Sequence, residues 1–264
     1  PMGHPHENQV MMQFMYGKDF ALSANLHSGA EVVNYPWDHR PDRHPDDDWF
    51  HFIAREYADE VHAVNPSYMD LFDNGITNGW DWYDIYGGRQ DYVTWYRGGR
   101  EVTLELSNTK RLPSEQLQDH WEYNHRSLLN YLSQAMYGIH GRVVSAHTGL
   151  PLEAELEVLD HDSSFTMVKS DRHFGSFTRY LKEGIYDLVV RAPDYESDTL
   201  RHVAVMDYQA TTLEVALDSV ADPGNYVPWQ EQEKEIHLYP LPAGEMLHVH
   251  LAEPAAGPLA YHIL

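Results

Sequence analysis

An alternating run of apolar and polar residues reads Arg100-Glu101-Val102-Thr103-Leu104-Glu105-Leu106-Ser107. Side chains on a β-strand point alternately to its two faces, so the run predicts a strand with Val102, Leu104 and Leu106 on one face. Thr103 and Glu105 then share the other face. Since this is one of the most apolar stretches nearby, we expect a buried strand.

Helical patterns lie on both sides of this strand in the sequence. Between residues 49 and 61, apolar residues recur every three or four positions with charged residues between them, which predicts an amphipathic helix. A second helix is predicted over residues 115–136. Its predicted apolar side consists of Leu117, Trp121, Leu128, Leu132 and Ala135. Together with a strand-like run at residues 20–27, this alternation predicts an α/β domain over residues 1–137.

Beyond residue 137 the sequence pattern changes twice, at residue 138 and at residue 220. Short strands separated by turn residues predict a small all-β sandwich over residues 138–219. A stretch rich in Pro, Gly, Gln and Glu predicts a linker over residues 220–235, and residues 236–264 are expected to be β-rich. The predicted strands of the sandwich are 141–144, 153–159, 184–190 and 211–217.

Composition excludes several classes of protein. The 264 residues predict about two domains, and a formal charge of −23 argues against binding nucleic acid through its phosphates. The chain has no apolar run that approaches the roughly 20 residues of a membrane-spanning helix. The absence of cysteine excludes disulfides, a thiolate nucleophile and Cys-based metal sites. With 18 histidines, metal chemistry based on His, Asp and Glu stays open.

Two polar residues on the predicted strands are candidates for chemistry. His27 ends the first strand, where ligand sites collect in α/β sheets, and could offer a neutral nitrogen to a metal. It could equally be a satisfied polar residue at a strand end. Glu105 is a carboxylate in an apolar strand, and burial would raise its pKa towards that of a general base. The alternative is an ion pair with Arg100 or Lys110.

Three loop-like stretches carry further polar groups. The stretch 76–91 combines glycines, aromatic residues and polar groups, and is predicted to be a recognition loop without helix or strand. Asp38 is either a charge on the floor of a pocket or a turn residue. The acidic stretch 42–48 could hold a second metal, but we expect a solvated loop that caps the next helix.

Four blocks of these residues resemble the zinc metallocarboxypeptidases, in particular the regulatory branch that contains carboxypeptidases N, E and D. The blocks are Ser23-Ala24-Asn25-Leu26-His27-Ser28-Gly29, Asn34-Tyr35-Pro36-Trp37-Asp38, residues 76–92 and Thr103-Leu104-Glu105-Leu106-Ser107. The resemblance implies that residues 1–137 are the C-terminal portion of a mixed-sheet α/β/α catalytic domain. It also implies that 138–219 form a transthyretin-like β-sandwich.

The resemblance implies a role for each matching residue. His27 corresponds to the third protein ligand of zinc, and Glu105 to the catalytic glutamate. Tyr83 corresponds to the mobile tyrosine that closes over the substrate's C-terminal end. Asp38 corresponds to the acid that binds a C-terminal Lys or Arg side chain, and Gln90 to another wall of that pocket. Catalytic zinc with two His and one Glu leaves a position for water, whose proton Glu105 would take and pass to the leaving amine.

The expected zinc centre is incomplete in this sequence. The family's first two ligands come from a His-x-x-Glu motif, and its Asn-Arg pair binds the substrate carboxylate. Both are expected upstream of Pro1, and the chain alone is expected to be inactive. Residues 238–249 resemble the start of a type IX secretion sorting domain, which implies a secreted or cell-surface protein of a bacterium.

The leading hypothesis is therefore a zinc carboxypeptidase that removes C-terminal residues, preferably Lys or Arg, from peptides or proteins. The rival hypothesis is a non-catalytic surface binding or adhesion module built on a degenerate carboxypeptidase fold. The presence of both Glu105 and Tyr83 favours the enzyme. An amidohydrolase with another metal is a third hypothesis, supported only by scattered histidines.

Overall fold

The computed structural model describes residues 5–16, 18, 20–163 and 165–220, together with two short strands near the C-terminus. Residues 1–221 form one compact unit and residues 222–264 another. In the second unit the strands β12 (Ile236–Leu238) and β13 (Val249–Leu251) pair antiparallel. The predicted linker, apart from Val220, and the rest of the predicted sorting segment lie outside the described residues.

A mixed four-stranded sheet forms the centre of the first region, as predicted. Its strand order is β1-β4-β2-β3, in which β1 is parallel to β4, β2 is antiparallel to β4, and β3 is parallel to β2. The strands are β1 (Leu22–His27), β2 (Ala30–Tyr35), β3 (Ile76–Asn78) and β4 (Arg100–Ser107), and the helices are α1 (His6–Tyr16), α2 (Asp47–Val64), α3 (Gly79–Trp82), α4 (Arg89–Tyr96) and α5 (Leu117–Ser133).

Helix α2 confirms the amphipathic helix that the periodicity of the sequence predicts. All seven of its apolar residues at the predicted spacing are buried, from Trp49 to Val61. They pack against Val102 and Leu104 of β4 and form the core of this region. Burying each such side chain contributes about 1.5–3 kcal/mol relative to leaving it exposed.

The prediction of which side of α5 is buried is wrong. Leu117, Trp121, Leu132 and Ala135 are exposed, and only Leu128 packs partly against the core. The buried side instead contains Asn124, Ser127 and Tyr131. Their polar atoms are satisfied: the Asn124 side chain bonds to two tyrosine hydroxyls, Ser127 donates to a backbone carbonyl of α2, and Tyr131 donates to one of β1. A helix face with polar residues can be buried when these residues are hydrogen-bonded, and a hydrophobic pattern does not predict such a face.

The stretch 76–91 contains regular structure, contrary to the prediction. Its first three residues form β3, and Asn78 then caps helix α3 by accepting a hydrogen bond from the backbone N–H of Trp80. Helix α4 begins at Arg89. The elements were missed because β3 and α3 are each shorter than the window over which a periodicity can be seen.

Two sheets with a shared apolar core form the second region. The four predicted strands are present, and three further strands complete the sheets in the orders β10-β9-β6-β7 and β11-β5-β8. The resemblance to transthyretin stays a prediction. The strands are β5 (Gly138–Ser145), β6 (Glu155–Val158), β7 (Val168–Lys169), β8 (Ser176–Arg179), β9 (Gly184–Arg191), β10 (Asp198–Val205) and β11 (Ala210–Leu217).

The acidic stretch 42–48 is only partly the solvated loop that we expected. Asp46 precedes helix α2 but makes no capping hydrogen bond with its side chain, and it is completely buried. Its carboxylate pairs with Arg100 of β4 and with Arg179 of the sandwich. The two guanidinium groups neutralise a carboxylate that would otherwise be too costly to bury.

No helix among the described residues is long and apolar enough to cross a membrane.

Candidate functional site

One face of the central sheet carries polar groups, while the other packs on the core. His27 and Glu105 are register partners on the parallel strands β1 and β4, so their side chains lie on the same face. On β2, Asn34 is the register partner of Thr103 and joins this face. Sheet register therefore brings together residues that are far apart in the sequence.

His27 and Glu105 are close enough to act on one group. The Nδ1 atom of His27 lies 3.7 Å from Oε1 of Glu105, and the histidine side chain is 55% exposed while that of Glu105 is 9% exposed. The imidazole is thus open to a ligand, and the carboxylate forms the floor beneath it. The alternative ion pair of Glu105 with Arg100 is not found, since Arg100 pairs with Asp46.

The environment of Glu105 suits a proton acceptor. Its Oε2 atom is buried and has no hydrogen-bond partner among the described residues. Burial raises the pKa of this carboxyl above its ordinary value, opposed by the nearby charges of His27 and Lys110. A buried carboxylate with a free oxygen and a raised pKa is the form that a general base takes near neutral pH.

Asp38 is a buried carboxylate held by two amides. Its Oδ1 accepts hydrogen bonds from the side chains of Asn34, at 2.9 Å, and Gln90, at 3.1 Å. Burial raises the pKa of Asp38 to about 6, although the Asn34 hydrogen bond lowers it. Asp38 is therefore not an exposed turn residue, and its role in a substrate pocket stays a prediction.

Glycines allow the backbone to pack closely on the Asp38 carboxylate. A Cβ atom on Gly79 would lie 1.8 Å from Oδ1 of Asp38, and one on Gly88 would lie 3.4 Å from Oδ2. The amide oxygens of Asn34 and Gln90 are buried and unpaired among the described residues. The group thus combines one carboxylate with two further acceptors, which is a set that favours a cationic donor.

Sequence reasoning missed a partly buried pair beside Asp38. Asp91, in the first turn of α4, accepts hydrogen bonds from the backbone N–H groups of Asp38 and His39, and its Oδ2 lies 2.5 Å from Nδ1 of His39. The pair fixes the backbone on which Asp38 stands. An acidic residue in the first turn of a helix is a recognisable pattern, but helix α4 itself was not predicted.

Tyr83 follows helix α3, and its side chain is half exposed. Its hydroxyl pKa is raised by burial and by the charges of Glu105 and Asp38. The hydroxyl is therefore influenced by the charges of both acids, and the ring remains accessible from solvent.

The described residues fit only part of a zinc centre. His27 could offer one nitrogen to a metal, and the unpaired Oε2 of the neighbouring Glu105 could act as a base. The described chain places no group of three potential ligands around His27. A three-ligand site with an open position therefore needs two further ligands from elsewhere.

A group with metal-ligand spacing does occur at Asp46, His161 and Asp162. Its carboxylates are already paired: Arg179 binds both Asp46 and Asp162, and Arg100 binds Asp46. The negative charges of the two carboxylates are balanced by the positive charges of the two guanidinium groups, so the group needs no metal cation. We therefore interpret this group as an ion-pair cluster that joins the sandwich to the α/β region.

Comparisons with known proteins identify the first region. A sequence profile of the family described as zinc carboxypeptidase matches residues 4–127. Carboxypeptidase SOL1 of Arabidopsis thaliana is 37% identical over 201 residues, which cover 73% of this chain and 40% of that protein. Carboxypeptidase D of Rattus norvegicus is 33% identical over 228 residues, covering 80% of this chain and 16% of that protein.

The catalytic chain of human carboxypeptidase N is 34% identical over 210 residues, covering 74% of this chain and 44% of that protein. The chain thus spans less than half the length of each of these relatives. The three relatives match 73–80% of this chain, whereas residues 4–127 make up less than half of it. The similarity to these relatives therefore continues beyond residue 127. Residues 4–127 thus match the zinc carboxypeptidase family model, and the chain is similar to part of each of these carboxypeptidases.

Proposed function

We propose that the protein hydrolyses the last peptide bond of peptides or proteins and prefers a C-terminal Lys or Arg. The observation that carries the proposal is the pairing of His27 with the buried Glu105 across the register of β1 and β4. A zinc ligand and a general base must lie this close if both are to act on one water molecule.

Glu105 would take and return a proton. Its buried oxygen without a partner is available to accept a proton from the attacking water, and the same atom can pass the proton to the leaving amine. Zinc, when bound, polarises the scissile carbonyl and lowers the pKa of water. His27 would hold the metal through one imidazole nitrogen, with the two other ligands supplied from outside the described residues.

The preference for a basic residue would come from the pocket of Asp38. A Lys or Arg side chain entering it would meet the carboxylate of Asp38 and the free amide oxygens of Asn34 and Gln90. Charge-assisted hydrogen bonds of this kind are roughly twice as strong as neutral ones. The excess of 41 acidic over 18 basic residues would also attract cationic substrates.

Tyr83 would close over the end of the substrate. Its ring is exposed and its hydroxyl is influenced by the charges of Glu105 and Asp38, so we expect the hydroxyl to reach a peptide bound at these two residues. We also propose a transthyretin-like sandwich at 138–219 and a secreted or cell-surface location in a bacterium, with type IX export, from the sequence resemblance. The chain alone would be inactive, because its described residues offer one zinc ligand of the expected three.

The test compares three peptides that differ only in a C-terminal Arg, Lys or Phe, using the full-length protein that carries this chain. We expect faster release of Arg and Lys than of Phe, and loss of all release with a zinc chelator. Asp38→Asn should remove the preference, while Asp84→Asn, at an exposed position nearby, should preserve it. Equal rates for all three residues would remove Asp38 from its proposed role.

The rival function is a non-catalytic binding module. One observation favours it: the described chain places no three-ligand group at His27. It predicts that the full-length protein holds no zinc and releases no C-terminal residue from any of the three peptides.

A further inference from the structure

The β-sandwich reaches the segment that carries Asp38 by two routes, one through Trp95 of α4 and one directly at Asp46. This segment, residues 37–46, connects β2 to α2 and contains Asp38 near its start and Asp46 at its end. The contacts come from the loop after β6, residues 159–167, and from Arg179 at the end of β8. We infer that the sandwich positions the segment 37–46 and thereby sets the selectivity of the Asp38 pocket, an inference that rests on the proposed function.

The first contact is aromatic and reaches the start of the segment. The ring of Phe165 stacks on that of Trp95, with centroids 4.0 Å apart and an interplanar angle of 16°. Trp95 in turn meets Trp37 and His39 edge-on, at 5.4 Å each. These two residues flank Asp38, so the sandwich packs on the neighbours of the acid through a single intervening ring.

The second contact is ionic and holds the end of the segment. Arg179 donates from Nη1 and Nη2 to the two oxygens of Asp46, at 2.6 and 2.8 Å. His161 Nε2 lies 2.7 Å from Oδ1 of Asp46. Arg100 donates to Asp46 and also to the backbone carbonyl of Thr166 in the sandwich loop. Asp46, Arg100 and Arg179 are at most 1% exposed, so water cannot replace these bonds.

Helix α4 connects the aromatic contact to the pocket. It carries Trp95, on which Phe165 stacks, and also Gln90 and Asp91, which bond to the carboxylate and the backbone N–H of Asp38. A helix of eight residues moves as one body, so a shift at Trp95 displaces both groups that hold Asp38. Displacements of about 1 Å at a binding group can cost roughly 100-fold in rate.

A positioning role differs measurably from a role in stability alone. A sandwich that only stabilises the protein would, when loosened, lower the activity on all substrates by the fraction that unfolds. A sandwich that positions Asp38 would, when loosened, weaken binding of a basic residue more than binding of a neutral one. The ratio of kcat/KM for the two substrates separates these cases, because the amount of folded enzyme cancels from it.

The test uses Phe165→Ala, whose half-exposed ring can be removed without opening the core, in the full-length protein. The matched control is Phe174→Ala, a 70% exposed ring elsewhere in the sandwich. KM and kcat are measured for peptides ending in Arg and in Phe. The affinity for free L-arginine is measured by titration calorimetry, and Tm is recorded for each variant.

We expect Phe165→Ala to raise KM for the Arg peptide and Kd for arginine by roughly tenfold, with the Phe peptide changed about twofold at most. Phe174→Ala should change neither. His161→Ala, which removes a bond to Asp46, should act like Phe165→Ala, and His161→Gln should restore selectivity by keeping a donor.

An unchanged Arg-to-Phe ratio in Phe165→Ala and His161→Ala overturns the inference, while the proposed function stands if the wild type still prefers Arg. If the wild type itself shows no preference for Arg over Phe, the proposed function of Asp38 is wrong, and the inference that rests on it is wrong as well. Should Phe165→Ala fail to fold, the two His161 variants decide the matter alone.

Discussion

The imidazole of His27 lies 3.7 Å from the carboxylate of Glu105, across the paired strands β1 and β4. The contact follows from sheet register, because both residues stand at matching positions of parallel strands. Its consequence is a site in which an exposed imidazole lies beside a buried carboxylate. Most of the chemistry proposed for this protein depends on that relationship.

Replacing Glu105 with Gln should abolish turnover without removing the metal. The amide keeps the size of the side chain but cannot accept the proton, and loss of a general base costs about 100- to 10,000-fold in kcat. The measurement is peptide hydrolysis together with the zinc content of the purified full-length protein. Substantial activity in this variant would show that another group moves the proton.

Selectivity for a basic residue should depend on pH through Asp38. Burial raises its pKa to about 6, so the carboxyl is neutral at lower pH and charged at higher pH. The Arg-to-Phe ratio of kcat/KM should therefore be high at pH 7.5 and fall as pH drops through about 6. The ratio in Asp38→Asn should stay flat over this range, and a wild-type ratio that is equally flat would contradict the prediction.

Replacing Arg179 with Met should destabilise the protein strongly. It would leave Asp46 buried with fewer partners, and breaking a buried ion pair by removing one member costs about 3–5 kcal/mol. The matched control is Arg201→Met, which removes a pair on the sandwich surface and should cost at most about 1 kcal/mol. Urea denaturation measures the free energy of unfolding of both variants. Equal losses of stability would contradict a structural role of the Asp46 cluster.

Tyr83→Phe should weaken substrate binding more than it slows the chemical step. The ring stays, but the hydroxyl that could bond to the end of the peptide is lost, which should raise KM by roughly three- to tenfold with little change in kcat. Tyr86→Phe, on the same stretch and 72% exposed, is the control and should behave as wild type. An equal effect of the two changes would count against a specific role for Tyr83.

Local patterns were sufficient to predict much of the fold. Helix α2 and strand β4 follow from periodicity, because each buries one continuous apolar face. Helix α5 was predicted with the wrong buried side, since Asn124 and Ser127 are buried through hydrogen bonds that involve distant residues. Hydrophobic patterning carries no information about such partners.

The candidate site was predictable where it coincided with strand ends and motif resemblance. His27, Asp38 and Glu105 were found in this way, and the structure places them around one face of the sheet; their roles stay proposals. The pairing of Asp91 with His39 and the cluster around Asp46 were missed. Both depend on contacts between segments far apart in the chain, which no local spacing encodes.

We propose that His27 binds the metal beside a catalytic Glu105. The most direct test measures zinc content and release of C-terminal Arg for the full-length wild type and for His27→Ala, side by side. We expect zinc and activity in the wild type and the loss of both in the variant. A His27→Ala protein that keeps its zinc and its turnover would contradict the proposal.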